Sequence, residues 1–289
     1  RVTSFKLMDT KDPEGNPHIA VKDFAPEALP SFLEGPVRLM KVLKDQKARK
    51  LYQAVRQSDL FDETLKMYKV NASLKGETHE IGRAHAFTPG WLENESIWMH
   101  MSFKYLLALL EKKLYKEYFD ALRAHLPAFM DPAVYGRSPL ENSSFIVSSA
   151  HPDADLHGNG FVARLSGSTA EFLSLWRLMT VGPQPFLIEG EDLILKIAPV
   201  LAGWLFDEAG RFSFCFLGAC EVTFVNPLRL NTFHQGVEIQ KIRLHGPDGI
   251  VDLNQPVIPS PYAERVREGK IKKIECFYPV NEQIQSQQK

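Results

Sequence analysis

The chain has 289 residues, of which 44% are hydrophobic, so it can bury a large core in one big domain or two ordinary ones. Lysine and arginine number 34 against 35 aspartate and glutamate, and the formal net charge of -1 argues against nucleic acid or an anionic membrane as a partner. The three cysteines lack metal-ligand spacing, which indicates free buried thiols, no metal site and a reducing, cytoplasmic location.

The sequence has no stretch near the roughly twenty apolar residues of a membrane span, and its first residues lack a signal-peptide pattern. We therefore expect no membrane attachment. The opening segment KDPEGNPH, at 11–18, is polar and is typical of the interior of a longer chain. We therefore expect this chain to work with an upstream part of the same polypeptide.

The first half of the chain is dominated by helical periodicity, from about Val37 to Val181. Asn94 is a plausible N-cap for one of the helices. The pattern predicts helices at 37–55, 95–110, 115–125 and 169–181. Two long polar loops, 57–93 and 131–165, separate them, and loops of this length in a compact domain often carry function.

The second half changes after Gly182 and Pro183 to short apolar or alternating runs separated by turn residues, which predicts antiparallel strands. We therefore predict an α+β protein of two domains: a helical domain at 1–184 that carries the site loops, and a β-sandwich at 185–289. Because the polar residues of the second half alternate outward, we expect no site there.

The segment from 135 to 172 gathers an unusual number of polar side chains. Many donors and acceptors at several angles suit a hydroxyl-rich ligand such as a sugar. The alternative is a loop whose polar groups satisfy one another and water. The collection comprises Arg137, Glu141, Asn142, Ser143, Ser144, His151, Asp153, Asp155, His157, Asn159 and Arg164.

The start of the last predicted helix offers a place for an anion. Ser168 and Glu171 fit the S-x-x-E capping box, but Ser166 and Gly167 are left without a role. Glycine ahead of a helix lets a ligand approach unpaired N–H groups, and phosphate would fit there. A donating imidazole would strengthen such a site, and His100 is the candidate, although a histidine with apolar neighbours is more often a core residue.

Four stretches of the chain carry a resemblance to a known family. They are GWLENESIWMHMSFKYLLALL, YGRSPLENSSFIVSSAHPD, HGNGFVARLSGSTAEFLSLW and GWLFDEAGRFSFCFLG. Together they resemble the carboxy-terminal part of inverting glycoside phosphorylases of glycoside hydrolase family 94, especially those acting on β-1,2-linked glucooligosaccharides. The resemblance implies part of an (α/α)6 helical barrel followed by an antiparallel β-sandwich. It also implies reversible phosphorolysis of a β-glucooligosaccharide to α-glucose 1-phosphate, with inorganic phosphate as co-substrate and no other cofactor.

The resemblance also implies roles for individual residues. Phosphate would be bound by His100, Ser166, Gly167 and Ser168. The sugar site and its loop would include Glu93, Asn94, Arg137, Glu141 and Asn142. Glu95 stands where the wider family usually has glycine, which puts the family's loop geometry at this position in doubt. We expect His100 and the start of the last helix to face one oxyanion.

The chemistry of phosphorolysis explains why one carboxylic acid suffices. Phosphate is already an anionic nucleophile, so no second carboxylate is needed to activate water. In the family the acid is an aspartate in an upstream barrel segment, and Asp59, Asp62, Asp153 and Asp155 do not match its motif. We therefore assign no catalytic residue here and expect the isolated chain to be inactive. A non-catalytic carbohydrate-binding fragment and a related glycoside hydrolase remain as alternatives, and a homodimer is an open possibility.

Overall fold

A computed structural model describes residues 2–163 and 167–280. Within these residues the chain is α+β, as predicted, with seven α-helices and five sheets of two to five strands. The first half is less helical than predicted. It also contains a β-ribbon and a three-stranded sheet, which the helical periodicity did not indicate.

The chain opens with an antiparallel ribbon of β1 (Val2–Lys11) and β2 (Pro17–Phe24). Phe5 lies opposite Val21, and Leu7 lies opposite Ile19, so one face of the ribbon is apolar. Every residue of both strands is nevertheless exposed.

Two helices replace the single helix predicted at 37–55: α1 (Glu34–Val42) and α2 (Asp45–Arg56). The prediction was wrong at Leu43 and Lys44, whose backbones are extended. The ammonium of Lys112 donates to the carbonyl of Leu43 at 2.7 Å, which satisfies a group that a continuous helix would have used internally. A residue 69 positions away therefore helps to end α1.

A short hairpin of β3 (Phe61–Asp62) and β4 (Met67–Tyr68) leads to a long loop and then to β5 (Ile97–Trp98). The next helix, α3 (Met99–Glu111), begins four residues later than predicted, because Ile97 and Trp98 pair with a later strand. Asn94 is therefore not its N-cap; the Asn94 amide donates to the carbonyl of Phe87 at 2.7 Å. The following helix, α4 (Tyr115–His125), has the predicted bounds.

A short helix, α5 (Pro132–Tyr135), precedes β6 (Ser143–Ile146) and β7 (Gly160–Ala163), and these two strands form a three-stranded sheet with β5 in the order β5-β6-β7. β7 leads towards α6 (Gly167–Val181), which begins two residues before the predicted Thr169. Phe172 lies beside Phe103, with ring centroids 6.0 Å apart, and Gly167 lies beside His100. α3 and α6 are therefore parallel and begin at the same end.

The second half contains the predicted strands, in two sheets. A hairpin pairs β8 (Phe186–Glu189) with β9 (Asp192–Leu195). The larger sheet comprises β10 (Arg211–Phe216), β11 (Cys220–Val225), β12 (Lys241–Gly246), β13 (Gly249–Leu253) and β14 (Lys273–Phe277), with α7 (Tyr262–Arg267) before the last strand. Its order is β10-β11-β14-β12-β13, and the pairing of β11 with β14 is parallel, where only antiparallel pairs were predicted. The three cysteines are free thiols on this sheet, as the sequence indicated; Cys220 and Cys276 are buried as predicted, but Cys215 is exposed.

One hydrophobic core runs through both halves of the chain, including residues on each side of the predicted boundary at 184/185. Phe119 of α4, for example, stacks on Phe233 at 5.6 Å, and Trp176 of α6 lies 5.9 Å from Phe212 of β10. Such aromatic pairs bury large apolar areas. In the part of the chain that the structure describes, no helix is both long and apolar enough to cross a bilayer.

His125 makes the stability of this core dependent on pH. Its ring is fully buried, Nδ1 donates to the carbonyl of Ala121 at 2.7 Å, and Nε2 accepts from the N–H of Tyr68 at 3.3 Å. Burial lowers the pKa of His125 to about 4, from an ordinary 6.5. The unfolded chain therefore binds a proton between pH 6.5 and 4 that the folded chain does not bind, so the free energy of unfolding falls as the solution is acidified.

We predict that His125→Gln flattens this part of the stability curve. The variant should lose some stability at pH 7, because its hydrogen bonds are poorer. Its free energy of unfolding should, however, fall by about 3 kcal/mol less than that of the wild type between pH 6.5 and 4. Urea unfolding at a series of pH values measures the difference, and parallel curves for the two proteins would contradict the prediction.

Candidate functional site

The N-terminal ends of α3 and α6 meet at His100 and Gly167. His100 is the second residue of α3, and Gly167 is the first residue of α6. A Cβ atom added to Gly167 would lie 2.5 Å from Nδ1 and 2.6 Å from Nε2 of His100, closer than any side chain tolerates. Glycine is therefore required at position 167 for the imidazole to lie against the start of α6.

This arrangement brings two helix N-termini to one place. The first N–H groups of a helix have no partner within it, and the helix dipole adds partial positive charge at that end. The His100 side chain is 25% exposed, so a ligand can reach it. The place therefore has the character of an anion site, with backbone donors from two helices and one imidazole.

The surroundings of His100 keep its imidazole neutral at pH 7. Burial is the main cause that lowers its pKa below 6.5, and the charge of Lys104 acts in the same direction. Glu171 opposes them, with Oε1 3.7 Å from Nε2 of His100. That distance is too long for a hydrogen bond, and burial with Lys104 outweighs the carboxylate. The ring therefore offers one N–H donor and one acceptor.

Lys104 supplies a positive charge one helical turn after His100. Its ammonium lies 3.8 Å from Oε1 of Glu34, the first residue of α1, and Glu34 also accepts from Arg38 at 2.7 Å. The hydrogen bond from Arg38, followed by the charge of Lys104, holds the pKa of Glu34 below its ordinary value. Sequence analysis missed Glu34 because its contact with α3 crosses 70 positions, and no local pattern signals such a contact.

Ser168 lies in the first turn of α6 and is fully buried. Its Oγ accepts from Nδ2 of Asn142 at 3.1 Å, so two of the predicted ligand residues are joined here. The predicted capping box is wrong, because α6 begins at Gly167 and Ser168 is inside the helix rather than at its N-cap. Ser166, the other predicted phosphate contact, lies outside the described residues.

Arg137 and Glu141 form a pair just before β6. Nη1 of Arg137 lies 3.2 Å from Oε2 of Glu141, and Nε of Arg137 donates to the carbonyl of Gly160 at 2.8 Å. The guanidinium thus ties this loop to the beginning of β7. Both of these predicted sugar-binding residues lie within five positions of Asn142 in the sequence. In the structure their side chains pair with each other.

Glu93 and Asn94 are engaged within the loop that precedes β5. Glu93 accepts two hydrogen bonds from Arg83, at 2.9 and 2.6 Å, and the amide of Asn94 binds the Phe87 carbonyl. Glu95 has a φ of 55°, in the left-handed region that glycine enters without strain. A nearly buried ion pair with Lys69, at 3.0 Å, helps to hold it there. A glutamate thus adopts the glycine-like conformation at the position where the resemblance expects glycine.

The four aspartates that were not assigned as the acid fall into two groups. Asp62 is buried and accepts from the backbone N–H groups of Thr64, Leu65 and Ser149, which is a structural role. Asp59, Asp153 and Asp155 are exposed, and Asp153 caps the short 3₁₀ turn that begins at Ala154. Among the described residues, no three metal-ligating side chains of the His, Cys, Asp or Glu type cluster.

Aromatic side chains flank the imidazole. The half-buried Trp98 lies edge-on to His100, with ring centroids 5.8 Å apart, and stacks on Phe145 at 5.7 Å. Trp91 stacks on Phe161 on the same sheet. Of these aromatic rings, only the edge of Trp98 reaches His100. Sequence analysis missed this neighbour because the strands that hold Trp98 in place come from distant segments.

A separate cavity of 760 Å³ opens at the other ends of the two parallel helices. Its walls include Leu110 near the end of α3, Leu178 near the end of α6, and Phe233 and Tyr278 from the second half. It lies about 15 Å along α3 from His100. We regard the His100 end as the functional candidate, because the chemistry-bearing groups converge there, whereas this cavity is mainly apolar.

No model of a known protein family matches the chain, and no curated protein matches it either. Function must therefore be inferred from the side chains themselves.

We predict that Gly167→Ala displaces the His100 ring. In a His100→Ala background the same change should be neutral or stabilising by up to about 1 kcal/mol, because alanine is the better helix former. With His100 present it should destabilise, and a double-mutant cycle should give a coupling energy of about 1 kcal/mol or more. Urea unfolding of the four proteins measures the coupling; additive effects would rule out the close contact.

The pKa of His100 provides a second test. NMR titration should give a value below 6.5 in the wild type. Glu171→Gln should lower it further, because the carboxylate that favours the imidazolium is removed. Lys104→Met is the matched control and should raise it, because a repelling positive charge is lost. Shifts in the same direction for both variants would contradict the proposed surroundings of the ring.

Proposed function

We propose that the chain forms the phosphate-binding side of the active site of an inverting glycoside phosphorylase. Its substrate would be a β-linked, preferably β-1,2-linked, glucooligosaccharide. The observation that carries the proposal is the direct contact of the His100 imidazole with Gly167, at the shared start of α3 and α6.

The groups at this place suit phosphate in particular. A tetrahedral oxyanion can accept from several donors at different angles, and backbone N–H groups at two helix ends provide them. A neutral imidazole adds one N–H donor without requiring a protonated ring at pH 7. Lys104, one turn further along α3, contributes the positive charge that favours binding of a dianion.

The arrangement of helices is compatible with part of an (α/α)6 barrel. α3 and α4 are consecutive helices in contact, joined by the three residues 112–114, and α6 lies parallel to α3. We propose that α3 and α6 are inner helices of such a barrel, with α4 outside them. The sheets of the second half would then belong to the β-sandwich cap, with the domain boundary near 184/185.

The proposed reaction needs one proton and one nucleophile. A phosphate oxygen bound between His100 and the start of α6 attacks the anomeric carbon and forms the new C–O bond. The glycosidic C–O bond breaks on the opposite face, and a carboxylic acid gives its proton to the departing oxygen. Inversion converts the β-linkage into α-glucose 1-phosphate. The acid would come from an upstream part of the same polypeptide.

The sugar would lie beside the phosphate, against β6 and the loop before it. Asn142 joins this loop to the first turn of α6 through Ser168, so a sugar contact there would be held at a fixed distance from the phosphate. Arg137 and Glu141 carry the other polar groups of the loop. Their mutual pairing at 3.2 Å leaves oxygen and nitrogen atoms that can bind hydroxyl groups.

Phosphate binding by the chain tests the proposal. In calorimetry we expect inorganic phosphate to bind, and His100→Ala to weaken binding by roughly tenfold or more. His18→Ala, on the exposed ribbon, is the matched control and should bind like the wild type. The polypeptide that also includes the acid should form glucose 1-phosphate from β-1,2-glucooligosaccharide and phosphate.

Other results would support the alternatives. Sugar binding that is unaffected by phosphate, together with no turnover, would identify a carbohydrate-binding fragment. Release of glucose in the absence of phosphate would identify a hydrolase. Either result would overturn the phosphorylase proposal.

A further inference from the structure

The hydroxyl of Ser144 is a buried polar group without a partner. Ser144 lies in β6, is 4% exposed, and its Oγ makes no hydrogen bond within the described part of the chain. An unsatisfied buried hydroxyl costs stability, by roughly 1–3 kcal/mol. Native proteins rarely keep such a group without a reason.

Strand register places Ser144 beside the start of α3. In the pairing of β5 with β6, Ile97 lies opposite Ile146 and Trp98 opposite Phe145. The pairing ends there because α3 begins at Met99, so Ser144 is the next residue of β6 beyond it, and β6 contacts α3. On its other side, Ser144 lies between Ser143 and Phe145, which pair with Ala163 and Phe161 of β7, the strand that leads towards α6.

The side chain of Ser144 lies on the opposite face of β6 from the side chains of Ser143 and Phe145. Ser143 bonds to the hydroxyl of Tyr135 at 2.8 Å, and Phe145 stacks on Phe161, so these side chains point to one face. Successive residues of a strand point to opposite faces. Ser144 therefore shares the other face with Ile146, which packs into the main core together with α3 and α6.

Asn142 provides a second unsatisfied atom at the same place. Its Nδ2 donates to Ser168 in the first turn of α6, but its Oδ1 is buried and has no partner in the described residues. Two unpaired polar atoms from β6 and the residue before it thus lie next to two helix N-termini. A bound polar ligand would supply partners that these atoms lack within the described residues.

We infer that Ser144 is a further ligand-binding residue of this site, and that its hydroxyl donates a hydrogen bond to the bound oxyanion. The inference rests on the proposed function, because it places phosphate between α3 and α6. It adds a donor from the sheet to the donors from the helices, so the oxyanion would be held from three sides. The buried hydroxyl then gains its partner only when the ligand is bound.

A buried water molecule is the competing explanation, because it could satisfy both Ser144 and Asn142. The two explanations differ in what Ser144→Ala does to phosphate affinity. If the Ser144 hydroxyl donates to phosphate, Ser144→Ala removes that hydrogen bond and weakens phosphate binding. If the hydroxyl binds only a structural water, Ser144→Ala leaves the phosphate affinity unchanged.

The test compares Ser144→Ala with Ser143→Ala, using inorganic phosphate and calorimetry on the full chain, and thermal unfolding without phosphate. Ser144→Ala should weaken phosphate binding by roughly tenfold, with an unchanged or higher Tm. Ser143→Ala is the matched control from the other face of the strand. It should lower the Tm, because it removes the bond to Tyr135, and leave phosphate affinity within about twofold of wild type.

Each outcome has a separate meaning. If the wild type binds phosphate and Ser144→Ala binds it equally well, the inference about Ser144 is wrong and the proposed function stands. If the wild type does not bind phosphate, the proposed function fails as well. Should Ser144→Ala not fold, Ser144→Cys replaces the hydroxyl by a weaker donor of similar size and should show the same loss of affinity.

Discussion

The contact between the His100 ring and the backbone of Gly167 fixes how α3 and α6 lie relative to each other. The imidazole occupies the space that a Cβ at position 167 would need, so the first turns of the two helices are in direct contact. Because the helices are parallel, their positive dipole ends lie side by side and repel each other. Lys104 adds a full positive charge to the same region. The positive potential at the two helix ends therefore favours a negatively charged group nearby.

Glu34 and Glu171 supply part of that charge. Glu171 lies 3.7 Å from the imidazole, and Glu34 lies 3.8 Å from the ammonium of Lys104. Both carboxylates are only partly exposed, so their charges are less screened than those on an open surface. They balance the helix ends without closing the site, because neither distance is that of a hydrogen bond. A bound phosphate would compete with these carboxylates for the same positive field.

The sequence predicts well those elements whose determinants are local. The bounds of α4 are correct because Tyr115–His125 has helical periodicity and is followed by Leu126 and Pro127. The second-half strands follow from alternation between turn residues. The errors arise where distant residues decide: Lys112 helps to end α1, and β6 pairs with Ile97 and Trp98, which delays the start of α3.

The candidate site was only partly predictable for the same reason. His100 and Gly167 could be named from local patterns and from the family resemblance, and the structure brings them into contact. Glu34 and Trp98 could not, because their positions depend on how α1 and the three-stranded sheet pack around α3. Glu171 was named from the sequence, but as part of a capping box with Ser168. That interpretation requires Ser168 to be the N-cap, whereas α6 begins at Gly167.

Some strained backbone positions and unpaired polar atoms lie in the segments that lead into α3 and α6. Of the seven non-glycine residues with positive φ among the described residues, Leu92, Glu95 and Val162, at 51°, 55° and 55°, lie within seven residues before one of these helices. The other four, Lys66, Lys113, Leu217 and Arg229, lie elsewhere. Such conformations cost roughly 1–3 kcal/mol each, most for a β-branched residue such as Val162. Asn94 and Ser144 add unpaired buried atoms nearby. Natural proteins keep such locally unfavourable features mainly where function requires them, so the ones before α3 and α6 agree with a binding role for the helix ends.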